Sequence, residues 1–171
     1  MPVRETDIVL SDELTDLARQ CSDLLRAAGQ TVGVAEGSAG GLISAALLSV
    51  PGASAYYRGG AVVYTAAASR AFMAGAIEVP AGMRGATEAF AQYLARSVAA
   101  KLGATWGIGE AGAAGPPNPY GDPAGHCWVA IAGPHGHTRH VLTGVDDRGE
   151  NMLAFAVAAL TELRLGLLGP A

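Results

Sequence analysis

The sequence predicts an α/β fold: a three-layer α/β/α domain with a mixed, mostly parallel sheet. Three patterns carry that prediction. Apolar residues recur at helical spacing in three long segments. Short β-branched runs alternate with helical segments through the first half. Two strand-like runs then adjoin across a Gly/Pro turn late in the chain, which supplies an antiparallel strand.

The first helix is set by Leu14, Leu17, Ala18, Cys21, Leu24, Leu25 and Ala28. Ser11 suits its N-cap, Asp12 and Glu13 suit the positive helix start, and Gly29 suits its stop. Residues 31–36 read as a strand, 37–41 as a small-residue turn, 42–48 as a helix and 50–54 as a Pro-Gly loop. A second strand spans residues 59–65 and runs into an Ala-rich stretch toward Met73. Thr87 caps a helix that ends at Leu102, with Phe90, Leu94 and Val98 on one side and Gly103 as its stop. Residues 105–110 form a third strand, and 111–125 form a long Pro/Gly-rich loop. Residues 126–132 and 138–143 make a hairpin, and the last helix covers 147–168, with Met152, Phe155, Ala159 and Leu163 on one side. In such sheets ligands bind at the carboxyl ends of the strands, so the loops at 37–41, 65–70 and 111–125 are expected to converge.

Composition narrows the function. The 171 residues suit one domain spanning 1–171. Half the chain is apolar and only 15% is charged, which excludes a disordered chain. Glycine and proline cluster between apolar runs without a repeat, which excludes a collagen-like or linker sequence. A net charge of −4 gives no nucleic-acid footprint. No unbroken apolar run reaches the roughly 18 residues of a membrane span. Residues 1–13 are polar and acidic and lack the apolar core of a signal peptide. The expectation is a cytoplasmic protein with no membrane or nucleic-acid partner. Cys21 and Cys127 make no disulfide framework, and Cys21 lies on the apolar stripe of its helix as a core thiol.

Three segments could carry chemistry. Ala35-Glu-Gly-Ser-Ala-Gly-Gly41 joins a strand to a helix, and its small residues let backbone N–H groups of Ala39, Gly40 and Gly41 face an anion or oxyanion. Ser38 there is a nucleophile or a phosphate donor; the plainer reading makes it a helix N-cap. Tyr64 and Thr65 close the second strand. The phenol could relay a proton and the threonine could bind phosphate or an amide, or the tyrosine is a half-buried strand residue. Gly112-Ala-Ala-Gly115-Pro-Pro opens a loop too long for a simple connection, although a surface insertion has the same composition. His135 and His137 flank a hairpin turn without a visible third metal ligand. Lysine occurs once, at Lys101, where it suits a helix C-terminus and is a poor candidate for a catalytic base.

Four stretches in register resemble the C-terminal domain of the CinA competence/damage-inducible proteins, a family that includes nicotinamide-nucleotide amidohydrolases. They are Thr31-Val-Gly-Val-Ala-Glu36 through Gly40-Gly41, Pro51 through Tyr64, Gly112-Ala-Ala-Gly-Pro116, and Pro123-Ala-Gly-His-Cys-Trp-Val129. The resemblance spans about Asp12 to Leu167. It implies a CinA-like mixed-sheet fold and a homo-oligomer. It also implies hydrolysis of the carboxamide of nicotinamide mononucleotide (NMN) to the acid mononucleotide and ammonia, with no metal or cofactor. In the family a serine of the first loop attacks the amide, a tyrosine and a lysine after the second strand assist, and an arginine in a late Gly-Asp-Arg stretch contributes. Longer members carry an N-terminal nucleotide-binding domain that this sequence lacks, which implies a domain acting alone or with a separate chain.

The match is uneven. The family motif reads close to Ala-Glu-Ser-Cys-Thr-Gly-Gly, so the serine position is Gly37 here and Ser38 comes one residue later. Tyr64 matches the tyrosine, whereas the lysine position falls on Ser69 or Arg70. An arginine stays protonated, so Arg70 can stabilise an oxyanion or bind phosphate but is a poor base. Gly144-Val-Asp146 stands for the late motif, with Arg148 two places on. Expected catalytic residues are Ser38, Tyr64 and Arg70. Expected substrate-binding residues are Glu36, Ala39, Gly40, Gly41, Thr65, Gly112, Gly115 and Arg148. The alternative is a homologue that binds a nucleotide as a sensor or regulatory subunit without chemistry. In a third reading Glu36 is an acid/base group for another reaction; it could equally be a carboxylate capping the next helix.

Overall fold

A computed structural model describes residues 10–170; the polar stretch at 1–9, on which part of the signal-peptide reading rests, lies outside the described residues. The elements run α1 (Asp12–Ala28), β1 (Val32–Glu36), α2 (Leu42–Leu48), a 3-10 turn (Ala53–Ala55), β2 (Tyr57–Val62), α3 (Ala66–Met73), α4 (Glu88–Leu102), β3 (Trp106–Ala113), β4 (His126–Ala132), β5 (His137–Leu142) and α5 (Arg148–Leu168). Short polar side chains start the long helices. Ser11 accepts from the Leu14 N–H, Thr87 from Phe90 and Asp147 from Glu150, each filling a donor the helix cannot satisfy itself.

The sheet order is β2-β1-β3-β4-β5. β1 pairs in parallel with β2 and β3, while β3 with β4 and β4 with β5 are antiparallel, so β4 alone runs against the others. On one face α1, α2 and α5 bury Leu14, Ile43, Phe155 and Leu160 against Val34 and Ile108. On the other, α4 packs Leu94 and Val98 over Ala35 and Ala111, with Met73 of α3 at the edge. α4 approaches the sheet closely because Gly107 and Gly109 carry no side chain there. A Cβ at either would overlap the carbonyl oxygen of Ala95 or Ala91. α5 is long and apolar enough to cross a bilayer by length and composition, but its buried side is part of the core.

The strands differ from the sequence reading at their ends. β2 starts two residues earlier than expected and stops three earlier. Its pairing ends at Glu36–Val62, and one further bond, from the Val63 N–H to the Glu36 carbonyl at 2.7 Å, precedes the turn into α3. Tyr64 therefore lies beyond the strand and is exposed. β3 runs on to Ala113, because β4 pairs with it as far as Ala113–His126. β5 begins one residue early, at the Ile131–His137 pair. The Ala-rich stretch is helical, capped by Thr65.

Candidate active site

The loop at 37–41, the segment after β2 and the loop after β3 do meet at the carboxyl ends of β1 and β3. They enclose a cleft of about 250 Å³. Ser38, 4% exposed, lies at its deep end, and Tyr64 and Tyr120, 61% and 74% exposed, stand at its rim. Gly85, Ala86 and Asn118 complete the mouth.

Glu36 holds the first turn together. Its Oε2 accepts from the N–H groups of Gly41 and Ile43, both at 3.0 Å, and its Oε1 accepts from the Ser44 N–H at 2.9 Å and the Ser44 hydroxyl at 2.6 Å. A fully buried carboxylate with four donors at a helix start is a cap. That matches the structural alternative for Glu36 and leaves it no free face for a substrate.

A second carboxylate stands beside it. Glu36 and Glu110 are register partners across β1 and β3. Side chains alternate along a strand, so both point to the face that carries Val34 and Ile108. Ser38 donates its hydroxyl to Glu110 Oε1. Glu110 Oε2 accepts from the N–H groups of Gly37 at 3.0 Å and Ala39 at 2.8 Å. The Cys127 thiol donates to Oε1 at 3.3 Å. Complete burial pushes the Glu110 carboxyl above its ordinary value, against the opposing pull of these donors, and the nearby Glu36 adds to the rise. A serine hydroxyl bonded to a carboxylate of raised proton affinity has the geometry in which a nucleophile can pass its proton to a base.

The turn closes on itself. The Ala39 N–H goes to Glu110, that of Gly40 to the Gly37 carbonyl at 3.1 Å, and that of Gly41 to Glu36. The oxyanion role expected of Ala39, Gly40 and Gly41 does not fit this arrangement, since each N–H already has an internal acceptor. Gly40 and Gly41 supply the turn instead, at φ of 68° and 102°, where a side chain is strained.

Tyr64 and Arg148, far apart in sequence, are in contact. Arg148 Nη2 donates to the Tyr64 oxygen at 3.0 Å, and Nη1 donates to the Gly115 carbonyl. Because the phenol oxygen accepts from the guanidinium, the phenol hydrogen is free to donate elsewhere. Arg148 also lines a neighbouring hollow of about 490 Å³ with Gly115, Pro116, Pro117 and Asp146. Thr65 accepts from the Ala68 N–H at 3.1 Å as the cap of α3. Arg70 is exposed on α3 and is not among the residues lining the cleft. Gly112 lines the cleft, and a Cβ there would come within 2.8 Å of the Cys127 Cβ.

The loop after β3 is tied across the mouth. Arg84 forms two bonds to Asp122, at 2.8 and 3.2 Å, and Asn118 adds a third at 2.8 Å. These hydrogen bonds, Arg84 first, hold the Asp122 carboxyl down at about 2. At the far end of the molecule His137 bonds Glu162 at 2.9 Å, so one of the two turn histidines has a structural partner.

Sequence reasoning missed Glu110. In the residue pattern Glu110 only closes the third strand. The available signal was that Glu36 and Glu110 close two apolar runs, and an acid ending a buried strand requires a partner.

Comparison with known proteins agrees with this architecture. The family model described as the CinA C-terminal domain matches residues 14–167. A CinA-like protein of Synechocystis is 36% identical over 145 residues, which is 82% of this chain and 35% of that protein. A CinA-like protein of Salinibacter ruber is 37% identical over 160 residues, 92% of this chain and 38% of its own length. The chain thus spans about a third of the length of these curated relatives. Among solved structures, a CinA superfamily protein from Klebsiella pneumoniae superposes with a TM-score of 0.83 at 25% identity, covering 91% of this chain and 98% of its own. The competence/damage inducible protein CihA from Agrobacterium tumefaciens gives 0.81 at 27% identity, covering 92% and 97%. The chain belongs to the CinA C-terminal domain family.

Proposed function

We propose that this protein is a nicotinamide-nucleotide amidohydrolase in which a Ser38–Glu110 pair replaces the serine and lysine of the family pattern. The observation that carries this reading is the hydrogen bond from Ser38 to buried Glu110 at the deep end of a cleft rimmed by Tyr64. Ser38 Oγ attacks the carboxamide carbon of NMN, and its proton passes to Glu110 Oε1. The Tyr64 hydroxyl, oriented by Arg148, donates to the oxyanion of the tetrahedral intermediate. Collapse expels ammonia, which takes the proton from Glu110 and leaves an acyl ester on Ser38. Water, deprotonated by Glu110, then releases the acid mononucleotide and restores the serine. Arg148 reaches from Tyr64 to the adjoining hollow, where its charge suits the nucleotide phosphate.

A second reading, binding without turnover, draws on the closed N–H groups of residues 39–41, which are already engaged within the turn. Ammonia release from NMN separates the two. Catalysis predicts release that is lost in Ser38→Ala and Glu110→Gln. Tight NMN binding by calorimetry with no ammonia from the wild type establishes the second reading and overturns the first.

A further inference from the structure

Cys127 takes no part in the steps above, yet it touches the group on which they turn. It lies in β4 opposite Gly112 of β3, and its side chain is fully buried. Its thiol reaches along the sheet to Glu110 Oε1 at 3.3 Å, the same oxygen that accepts from Ser38. The bare backbone of Gly112 leaves room for this, since a Cβ there would crowd the Cys127 Cβ at 2.8 Å. Glu110 therefore has two donors on each oxygen: Gly37 and Ala39 on Oε2, and Ser38 and Cys127 on Oε1. Burial, with the neighbouring Glu110 charge, keeps the thiol well above its ordinary ionisation range, so it remains an S–H donor and is no rival nucleophile.

We propose that Cys127 is a positioning residue for Glu110, its thiol holding Oε1 of the carboxylate on the Ser38 hydroxyl. This rests on the reading of Glu110 as the base. Before attack the thiol and the Ser38 hydroxyl share Oε1, so the carboxylate is already set on the proton it will take. During attack that proton moves from Ser38 to Oε1, and the thiol is then the remaining side-chain donor to that oxygen, keeping the protonated carboxyl group from turning toward the Oε2 side before it passes the proton to the leaving ammonia. The other titratable neighbour on this face is Glu36 of β1, already occupied by the start of α2. α2 itself has no ionisable residue, and the first turns of α5 bury Asn151, Phe155 and Ala156. Glu36 raises the proton affinity of Glu110 in the wild type and in any Cys127 variant alike, so differences among them read the thiol.

Two substitutions test it. Cys127→Val keeps the bulk and removes the donor, and Cys127→Ser keeps a donor. The Glu110 titration is read from carbon-13 carboxyl resonances, assigned by the signal missing in Glu110→Gln, alongside the pH profile of ammonia release. In Cys127→Val the Glu110 midpoint and the acid limb of kcat should rise together by about half a unit to one unit, because a donor to the charged form is lost. kcat should fall roughly 3- to 10-fold with KM unchanged. Cys127→Ser should return both to the wild-type position or below. An unmoved midpoint in Cys127→Val, or equal shifts in both variants, overturns the proposal by reducing Cys127 to packing. If Cys127→Val does not fold, the serine variant decides alone, since a midpoint above that of the wild type contradicts the role. If the wild type releases no ammonia at any pH, the amidohydrolase reading fails, while the carboxyl titration still decides whether Cys127 governs Glu110.

Discussion

Replacing Glu110 by glutamine should make the protein inactive and, at neutral and higher pH, more stable. The wild-type carboxylate is wholly buried, and burial lifts its proton affinity above the ordinary value of 4.5. Below 4.5 the group is protonated whether the chain is folded or not, and its contribution to folding is fully present. As pH rises from there through the folded-state value, the unfolded chain releases the proton first. Wild-type stability then falls by about 1.4 kcal/mol per pH unit across that window. Glutamine does not titrate. It keeps a carbonyl oxygen for the Gly37 and Ala39 N–H groups and turns its amide toward Ser38. Its stability curve should therefore lack the slope, and the gap between the two proteins should widen with pH. The same change removes the base, which costs roughly 10²–10⁴ in rate, or about 3–5 kcal/mol of barrier. Urea denaturation midpoints taken at stepped pH, with ammonia release on the same samples, measure both effects. Parallel stability curves, or a variant that keeps ammonia release within a few-fold of the wild type, would refute the reasoning.

The remaining predictions separate scaffold from chemistry. Glu36→Ala strands three backbone donors, that of Ile43 fully buried, and one hydroxyl, so urea unfolding should show a loss of about 2–4 kcal/mol, with ammonia release falling only as the folded fraction falls. Tyr64→Phe removes the donor assigned to the oxyanion and should lower kcat roughly 10²–10³-fold in steady-state assays. Arg148→Gln should instead raise KM more for NMN than for the dephosphorylated nucleoside, since its role there is charge on phosphate. The Asp122 carboxyl is depressed from 3.8 to about 2, so its contribution is present above 3.8 and is lost as pH falls through the lower value. Asp122→Asn should therefore flatten the acid side of a melting-temperature profile without changing its neutral slope.

Much of the fold could be read from residue patterns because its signals are local. Ser11 and Gly29 bracket α1 as caps require, and Leu94 and Val98 mark the buried side of α4. Strand ends were misjudged because they depend on partners distant in sequence. β3 gains three residues from the strand that folds back on it, and β2 loses three where its pairing with β1 ends. Loop convergence followed from topology, which placed Ser38 and Tyr64 on one cleft. The Ser38–Glu110 bond did not follow, because residues 72 positions apart meet through strand register. The contact between Arg148 and Tyr64 was suggested only by the family motif, and the two-place offset of the arginine is absorbed at the start of α5.

The most direct test looks for the covalent bond itself. Wild-type protein mixed with NMN, quenched in acid and digested should yield a peptide containing Ser38 that carries the nicotinate-mononucleotide acyl group, formed with one ammonia per site. The adduct should be absent from Ser38→Ala and from Glu110→Gln. Ammonia released at the wild-type rate by Ser38→Ala, with no acyl peptide in either protein, would show that this hydroxyl is not the attacking group.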